Sequence, residues 1–198
     1  MLVFLLSVSL LITTAEFVPL RSQERYEIRC NNALLLKSEQ YAKSQIGVTE
    51  RTGHNDGPQI SAYLKSVGIN FPAAYCYAGQ YWCFDQAAKD LKMKNPLPKS
   101  GMANSAFAHA RKHGRKTKYI AHRHDLITWK VRKGWSGHIE RIISVSENGN
   151  VQTIGFNTSK GTSGSQSNGG GVYVRYRNIY HPLSRLLRIR GLVGFYED

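Results

Sequence analysis

The sequence predicts a single α+β domain in which helices come first and an antiparallel β-sheet follows. Before Gly114, apolar residues recur at helical spacing between capping residues and glycines. After Gly114, the composition changes to short β-branched and aromatic runs that are bounded by turn residues. Helices followed by strands are typical of α+β folds, and 198 residues are enough for one domain with a hydrophobic core.

Four helices are expected in the first half of the chain, over residues 31–47, 58–68, 75–91 and 100–114. The first begins at a capping asparagine, and the second opens with a proline, which suits the first helical position. Glycines end the first, second and fourth helices, and a turn with two prolines follows the third.

Five strands are expected in the second half: "HDLITWKV", "GHIERIISVS", "NVQTIGFNT", "GVYVRYRN" and "LRIRGLVGFY". The turn "ENGN", at residues 147–150, predicts a hairpin between the second and the third of these. The Ser/Gly-rich segment "TSKGTSGSQSNGGG", at residues 158–171, is expected to be a mobile loop. Because the sequence shows no internal repeat and no linker to a second module, we assign residues 31–198 to one domain.

The N-terminal segment has the pattern of an export signal. Residues 2–12, "LVFLLSVSLLI", form an apolar run, and small residues at Thr13 and Ala15 fit a signal-peptidase site before Glu16. The run is shorter than the roughly 20 residues that span a bilayer. No lysine or arginine precedes it, so a misassigned start codon and an uncleaved anchor are alternatives. We expect residues 1–15 to be removed and the protein to be exported, to the periplasm or the extracellular space.

The charge balance predicts an anionic partner. The chain has 27 Lys and Arg residues against 13 Asp and Glu residues, a formal net charge of +14. Nucleic acid, an anionic cell wall and anionic lipid all fit such a surplus, and solubility alone is the alternative explanation. No nucleic-acid-binding motif is present, so nucleic acid is not expected, but the charge alone does not choose among the other partners; an anionic envelope surface is one of them.

Two of the three cysteines lie in the third expected helix, in different chemical settings. Cys76 and Cys83 are two turns apart, roughly 10 Å along the axis, whereas a disulfide needs Cα atoms within about 7 Å. Cys76 falls at the helix start, where the macrodipole and free N–H groups stabilise a thiolate. Cys83 falls among aromatic residues in mid-helix, where burial would make it inert. We therefore predict that Cys76 is a nucleophile, with a core cysteine as the alternative.

A thiolate nucleophile needs a base, and a third group should orient that base. His138 begins a strand directly after a glycine, and Asn157 closes the next strand across the hairpin, which predicts this pair for the two roles. Each residue alone also fits an ordinary strand edge or turn. His109 and His113 have the i, i+4 spacing that can bind a metal, but no third ligand accompanies them. We expect no metal and no cofactor.

Several segments resemble, in order, the cysteine, histidine-dependent amidohydrolase/peptidase family, usually called CHAP. "YCYAGQYWCF" is similar to the nucleophile segment "WCAAFVSWC", "HDLITWK" to the "GDLVFF" strand, and "GHIERIISV" to the histidine strand "GHVGIV". "TIGFNT" resembles the "IEGNT" strand, and "GGGVYVRYR" resembles the segment after it. The helical lead-in "IGVTERTGHNDGPQISAYLKSVG" also matches, so the resemblance covers residues 40–178.

The resemblance implies a papain-like fold, with the nucleophile at a helix N-terminus that packs on the sheet. It assigns Cys76 as the nucleophile, His138 as the general base and Asn157 as the orienting residue. The sequence departs from the family at Gly155, where glutamate is frequent two residues before the asparagine. We expect this loss of a carboxylate to weaken the orientation of the imidazole.

Three further residues are candidates for contact with the substrate or the oxyanion. They are Gln80, one turn beyond the nucleophile, and Tyr75 and Trp135, which neighbour the catalytic candidates in sequence. An exposed helix position is the alternative explanation for Gln80.

The family acts on bacterial peptidoglycan. The resemblance therefore implies a hydrolase that cleaves an amide bond, either between sugar and peptide or within the peptide, and we expect it to be a monomer. Two alternatives are a secreted basic wall-binding protein with weak or no catalysis, and a transamidase.

Overall fold

The expected α+β class is confirmed. The computed structural model describes residues 23–161 and 164–197, and within them it contains four α-helices and seven β-strands. In chain order these are β1 (Glu24–Arg29), α1 (Asn32–Ser44), α2 (Pro58–Ser66), α3 (Cys76–Asp90), α4 (Ser105–His113), β2 (Arg115–Thr117), β3 (Leu126–Val131), β4 (Gly137–Val145), β5 (Asn150–Thr158), β6 (Gly171–Asn178) and β7 (Leu187–Tyr196). The expected export signal, residues 1–15, lies outside the described residues.

The seven strands form one mixed sheet in the order β2-β1-β7-β3-β4-β5-β6. All neighbouring pairs are antiparallel except β1 and β7, which run parallel. The expectation of a purely antiparallel sheet is therefore wrong, because the sheet continues beyond β7 into β1 and β2, two strands that the sequence pattern did not indicate. The sheet thus includes residues before 31, where we placed the start of the domain.

β1 escaped prediction because charged residues alternate with its apolar ones. Tyr26 and Ile28 pack in the core beneath the helices, whereas Arg25 is buried on the other side of the strand. Arg25 donates two hydrogen bonds to Asp125, from Nε to Oδ2 at 2.8 Å and from Nη2 to Oδ1 at 3.0 Å. Since a buried arginine needs such a partner, this strand depends on a residue that lies 100 positions later in the chain.

The helices cover one face of the sheet. Tyr77 and Phe84 of α3 pack with Leu126, Ile139 and Val193, which come from three neighbouring strands. Side chains alternate along β3, so that the next residue after Leu126 belongs to a second apolar cluster on the other face. Connecting segments, not helices, cover that second cluster. None of the described helices is long and apolar enough to cross a membrane.

One glycine determines how closely α3 approaches the sheet. A Cβ built on Gly79 would lie 2.1 Å from Cδ1 of Phe156 on β5, closer than two nonbonded carbon atoms can come. Gly79 belongs to the first turn of α3, so the lack of a side chain there lets the N-terminal end of the helix pack closely against Phe156 of the sheet. The start of α3 is also where the candidate nucleophile lies.

Candidate active site

Cys76 is the first residue of α3, and only 4% of its surface is exposed. Tyr75 is the N-cap residue, and its side chain makes no capping hydrogen bond. The backbone N–H groups of the first turn have no partner within the helix, so they can receive hydrogen bonds from a bound group. Cys76 thus combines a thiol with nearby backbone donors.

His138 lies at the beginning of β4 and is fully buried. Its Nε2 atom is 3.0 Å from Oε1 of Glu140, two residues further along the strand. Its other ring nitrogen, Nδ1, makes no hydrogen bond with the described residues. The Cys76 thiol is the neighbouring group there, close enough to raise the pKa of the imidazole. The side chains therefore form a chain of contacts from Cys76 through His138 to Glu140.

The charges of this chain of contacts support one another. Burial lowers the pKa of His138, but its interactions with the nearby Cys76 thiol and with Glu140 outweigh that effect and raise the pKa to about 9. Burial likewise raises the pKa of Glu140, but hydrogen bonds from His138 and Arg177 bring it down to about 2. At neutral pH an imidazolium therefore lies between a carboxylate and the sulfur, which is the environment of reactive cysteines.

Three side chains hydrogen-bond the carboxylate of Glu140. His138 is one, and Arg177 donates from Nη2 to Oε1 at 2.6 Å and from Nε to Oε2 at 2.9 Å. Thr153 donates its hydroxyl to Oε2. Arg177 also donates to Oε1 of Gln166, in the Ser/Gly-rich loop, at 3.3 Å. A buried carboxylate with this many donors is both neutralised and fixed in position.

Gly155 explains why there is room for this carboxylate. Glu140 and Gly155 are paired across β4 and β5, and a Cβ on Gly155 would lie 2.8 Å from Oε1 of Glu140. In the CHAP segments quoted above, glycine stands at the position of Glu140 and glutamate at that of Gly155. This chain has the reverse arrangement.

Asn157 does not make the contact that the sequence predicts for it. Its Nδ2 donates to Oδ1 of Asn168 at 3.4 Å, and its Oδ1 has no partner among the described residues. The residue lies at a bulge in β5, with φ at 56°. Glu140, not Asn157, hydrogen-bonds the imidazole of His138. The i, i+2 spacing of residues 138 and 140, which places both on one face of a strand, was the signal in the sequence.

The three candidate substrate contacts have different surroundings. Gln80 is fully buried, and its Nε2 donates to the carbonyl of Ile154 at 2.9 Å, so that its amide binds β5. Tyr75 is fully buried, with its ring 6.0 Å from that of Tyr63. Trp135 lies in the β3–β4 loop, three residues before the histidine, with 76% of its surface exposed. Of the three, Trp135 is the exposed one.

The other thiols have a different environment from Cys76. Cys30 and Cys83 are free and buried, and burial raises the pKa of each to about 12. Both are therefore protonated thiols at neutral pH.

His109 and His113 stack with ring centroids 4.7 Å apart, and the described residues contain no group of three or more side chains that could hold a metal ion.

Comparison with known proteins identified no protein that is similar to this chain. The chain matches no family model, and neither the curated proteins nor the solved structures gave a significant match.

Proposed function

We propose that this protein is a cysteine-dependent amide hydrolase of the CHAP type, with a papain-like arrangement of its site, that acts on bacterial peptidoglycan. Cys76 is the nucleophile, His138 the general acid and base, and Glu140 the residue that positions His138. The observation that supports this most directly is the buried chain of contacts from the Cys76 thiol through His138 to the Glu140 carboxylate. Such a chain is the arrangement that activates a thiol for acyl transfer.

The reaction proceeds in two stages. In the first, the Cys76 thiolate forms a C–S bond with the carbonyl carbon of the amide, and the carbonyl electron pair moves onto oxygen. The C–N bond then breaks as the imidazolium of His138 gives its proton to the leaving amine. In the second, neutral His138 takes a proton from water, which attacks the thioester. The C–S bond breaks, and the products are a carboxylic acid, the thiolate and the imidazolium.

The negative oxygen that forms in each stage needs donors. We assign this role to backbone N–H groups in the first turn of α3, because they lie beside Cys76 and have no partner within the helix. Gln80, which the sequence indicated for this role, already donates its amide to Ile154.

Three features of the chain favour peptidoglycan as the substrate. The segments around both catalytic candidates resemble those of a family that hydrolyses it. The net charge of +14 suits the anionic bacterial envelope. The apolar N-terminal run is typical of a protein that is exported to where peptidoglycan lies.

The same charge also favours a second candidate function, a secreted wall-binding protein that does not cut. One experiment separates the two. Purified peptidoglycan is incubated with the protein, with Cys76→Ala, or with the matched control Cys83→Ala, and the soluble fragments are identified by mass spectrometry. We expect new muropeptides with the unmodified protein and with Cys83→Ala, and none with Cys76→Ala. Sedimentation with peptidoglycan without any new fragment would support the wall-binding protein and reject the hydrolase.

The masses also identify the bond. A free lactyl carboxyl on the sugar indicates cleavage between sugar and peptide, whereas shortened peptides indicate an endopeptidase. Fragments joined to an added amine would indicate the transamidase.

A further inference from the structure

Two neighbouring loops at one end of the sheet carry exposed cations and exposed apolar side chains together. In the antiparallel pairing of β3 with β7, Lys130 lies opposite Arg188 and Val131 lies opposite Leu187. The loop after β3 and the loop before β7 therefore emerge side by side. We call this surface the basic tip, and its members are Lys130, Arg132, Lys133, Trp135, Arg185, Leu186 and Arg188.

The apolar members of the basic tip face solvent. Trp135 is 76% exposed and Leu186 is 73% exposed. Their backbones are held in place, because Asn104 donates to the carbonyl of Trp135 at 3.3 Å and the Leu186 N–H donates to Oγ of Ser184 at 3.3 Å. A large apolar side chain presented on a fixed backbone suggests a partner with an apolar phase.

The cations of the basic tip are not neutralised by nearby acids. Between residues 126 and 196, the sequence contains only two acidic residues, Glu140 and Glu147. Glu140 is buried in the candidate active site, and Glu147 lies in the β4–β5 turn, at the other end of β4. Within the described residues, none of the five cations of the basic tip forms an ion pair. The partner is therefore expected to supply negative charge.

We propose that the basic tip is a docking surface for an anionic phospholipid bilayer. Lipid phosphates would pair with the arginines and lysines, and Trp135 and Leu186 would enter the boundary between headgroups and acyl chains. Tryptophan is enriched at that boundary. A soluble polyanion would use the cations but would leave Leu186 without an apolar partner, so the combination favours a bilayer.

The basic tip adjoins the candidate active site, although the proposal does not depend on the catalytic one. Trp135 lies three residues before His138, with Ser136 and Gly137 between them. Docking would therefore keep the start of β4, and with it His138, close to the membrane surface.

Fluorescence of the full chain on vesicles tests the proposal. The vesicles contain equal parts of phosphatidylglycerol and phosphatidylcholine, with or without bromine on the acyl chains. We expect brominated lipid to quench part of the tryptophan emission, and this quenched part to be absent in Trp135→Phe. Because the apolar run at residues 2–12 can itself bind vesicles, the readout is the quenching of Trp135 and not the binding of the chain. A bound chain whose Trp135 emission is not quenched would overturn the proposal.

Matched variants test the two chemical components. The quantity compared is the ratio of the affinity for vesicles that contain phosphatidylglycerol to the affinity for pure phosphatidylcholine vesicles. Arg132→Gln/Lys133→Gln should lower this ratio by about 25-fold, at about fivefold for each cation. The control Lys92→Gln/Lys94→Gln, which removes the same charge beyond the far end of α3, should change it by less than about threefold.

Trp135→Ser/Leu186→Ser should reduce the ratio of affinities for phosphatidylglycerol-containing and pure phosphatidylcholine vesicles by more than about tenfold. The control Leu36→Ser, at a 53% exposed position of α1, should leave this ratio unchanged. Two results together would show that the partner is a soluble polyanion and that the bilayer proposal is wrong. The first is that soluble polyphosphate binds the protein as tightly as the vesicles do. The second is that Trp135→Ser/Leu186→Ser binds polyphosphate and vesicles with the affinities of the unmodified chain.

Discussion

Glu140 on β4 and Gly155 on β5 lie opposite each other, and the carboxylate of Glu140 fills the space that a side chain on Gly155 would need. The CHAP segments have a glycine and a glutamate at these positions in the reverse order. Both arrangements supply one carboxylate to the same region of the sheet, from either of two adjacent strands. Under the proposed function, Gly155 therefore leaves room for a carboxylate that the neighbouring strand supplies, and glutamate is not needed at position 155.

Moving the carboxylate back across the strand pair tests this interpretation. Glu140→Gly should lower kcat by about 100-fold or more, because His138 loses the group that orients it and stabilises its charge. Glu140→Gly/Gly155→Glu should recover at least about tenfold of that loss, since the new carboxylate enters the vacated space. Release of muropeptides over time measures both. Gly155→Glu alone is the control and should be inactive or unfolded, because two carboxylates then compete for one space. Equal rates for the single and double variants would contradict the interpretation.

Asn157→Gly should leave most of the turnover intact. The residue has φ at 56°, which glycine adopts without strain, and the change removes one hydrogen bond of 3.4 Å to Asn168. We expect a loss of no more than about fivefold in kcat, the effect of one ordinary hydrogen bond. Asn157→Ala should in addition lower the free energy of unfolding by about 1 kcal/mol, because its Cβ opposes the left-handed backbone. A loss as large as that of Glu140→Gly would return the orienting role to Asn157.

Substitution of the two cysteines of α3 should have opposite effects on turnover. Cys76→Ala should abolish turnover because the site loses its nucleophile, and it should also lower the free energy of unfolding by about 1 kcal/mol because Cys76 is only 4% exposed and belongs to the core. Cys83→Ala should keep turnover and lower the free energy of unfolding by about 1–2 kcal/mol, since Cys83 is fully buried. Peptide mapping after brief alkylation at neutral pH should find the label on Cys76. Preferential labelling of Cys83 would show that the nucleophile has been misassigned.

The rate of the reaction should decline at alkaline pH. The pKa of His138 is raised to about 9, and the reaction needs its protonated form for the leaving amine, so kcat/KM should fall as the pH rises through about 9. In Cys76→Ala, one of the two groups that raise this pKa is lost, and an NMR titration of His138 should give a lower pKa. A constant kcat/KM from pH 8 to pH 10 would argue against His138 as the acid.

His138 also links the stability of the fold to pH. Its pKa in the folded protein lies above its ordinary value of 6.5, so its contribution to stability is complete below about pH 6.5. That contribution is lost as the pH rises through about 9. Urea unfolding of the full chain and of His138→Gln, compared at pH 6 and pH 10, measures this difference.

Gly79→Ala should destabilise the protein although alanine is the better helix former. The gain in helix propensity is about 1 kcal/mol, but the added carbon would lie 2.1 Å from Phe156, which costs about 1–3 kcal/mol or more. Phe156→Leu in the same chain should recover part of the loss, because it removes the atoms that collide. Gly170→Ala, which adds a Cβ with no atom within 4 Å, is the control in urea unfolding and should have little effect. Unchanged stability in Gly79→Ala would mean that α3 can move away from the sheet.

Local signals in the sequence predicted the helices well. Asn31 caps α1 by accepting a hydrogen bond from the Ala33 N–H at 2.9 Å, and Pro58 opens α2, both as expected. β1 and β2 had no such signal, because their pairing, and the burial of Arg25 and Glu27 in β1, depend on residues far away in the chain. For the same reason, neither β1 nor β7 taken alone indicates that the two strands pair in parallel.

The residues of the candidate active site also fall into two groups, those that local sequence signals indicated and those that depend on contacts between distant strands. The positions of Cys76 at a helix start and His138 at a strand start followed from local pattern. For Glu140, the i, i+2 spacing with His138 was a local signal, but only the pairing of β4 with β5 reveals that Gly155 leaves room for its carboxylate. Gln80 is a further example: helical spacing places it one turn from Cys76 but does not show that a carbonyl of β5 accepts its amide.

The pairing of β1 with β7 has a consequence for the synthesis of the protein. β7 lies between β1 and β3, so it is the strand that joins β2 and β1 to the strands that carry His138 and Glu140. On the ribosome, β1 emerges early but has no parallel partner until the last strand has left the exit tunnel. The sheet can therefore close only after translation of residues 187–196, and the nascent chain remains incompletely folded until then. Such a delay in closing the sheet would suit the export that we propose, because export in an unfolded state needs a chain that has not yet closed its fold.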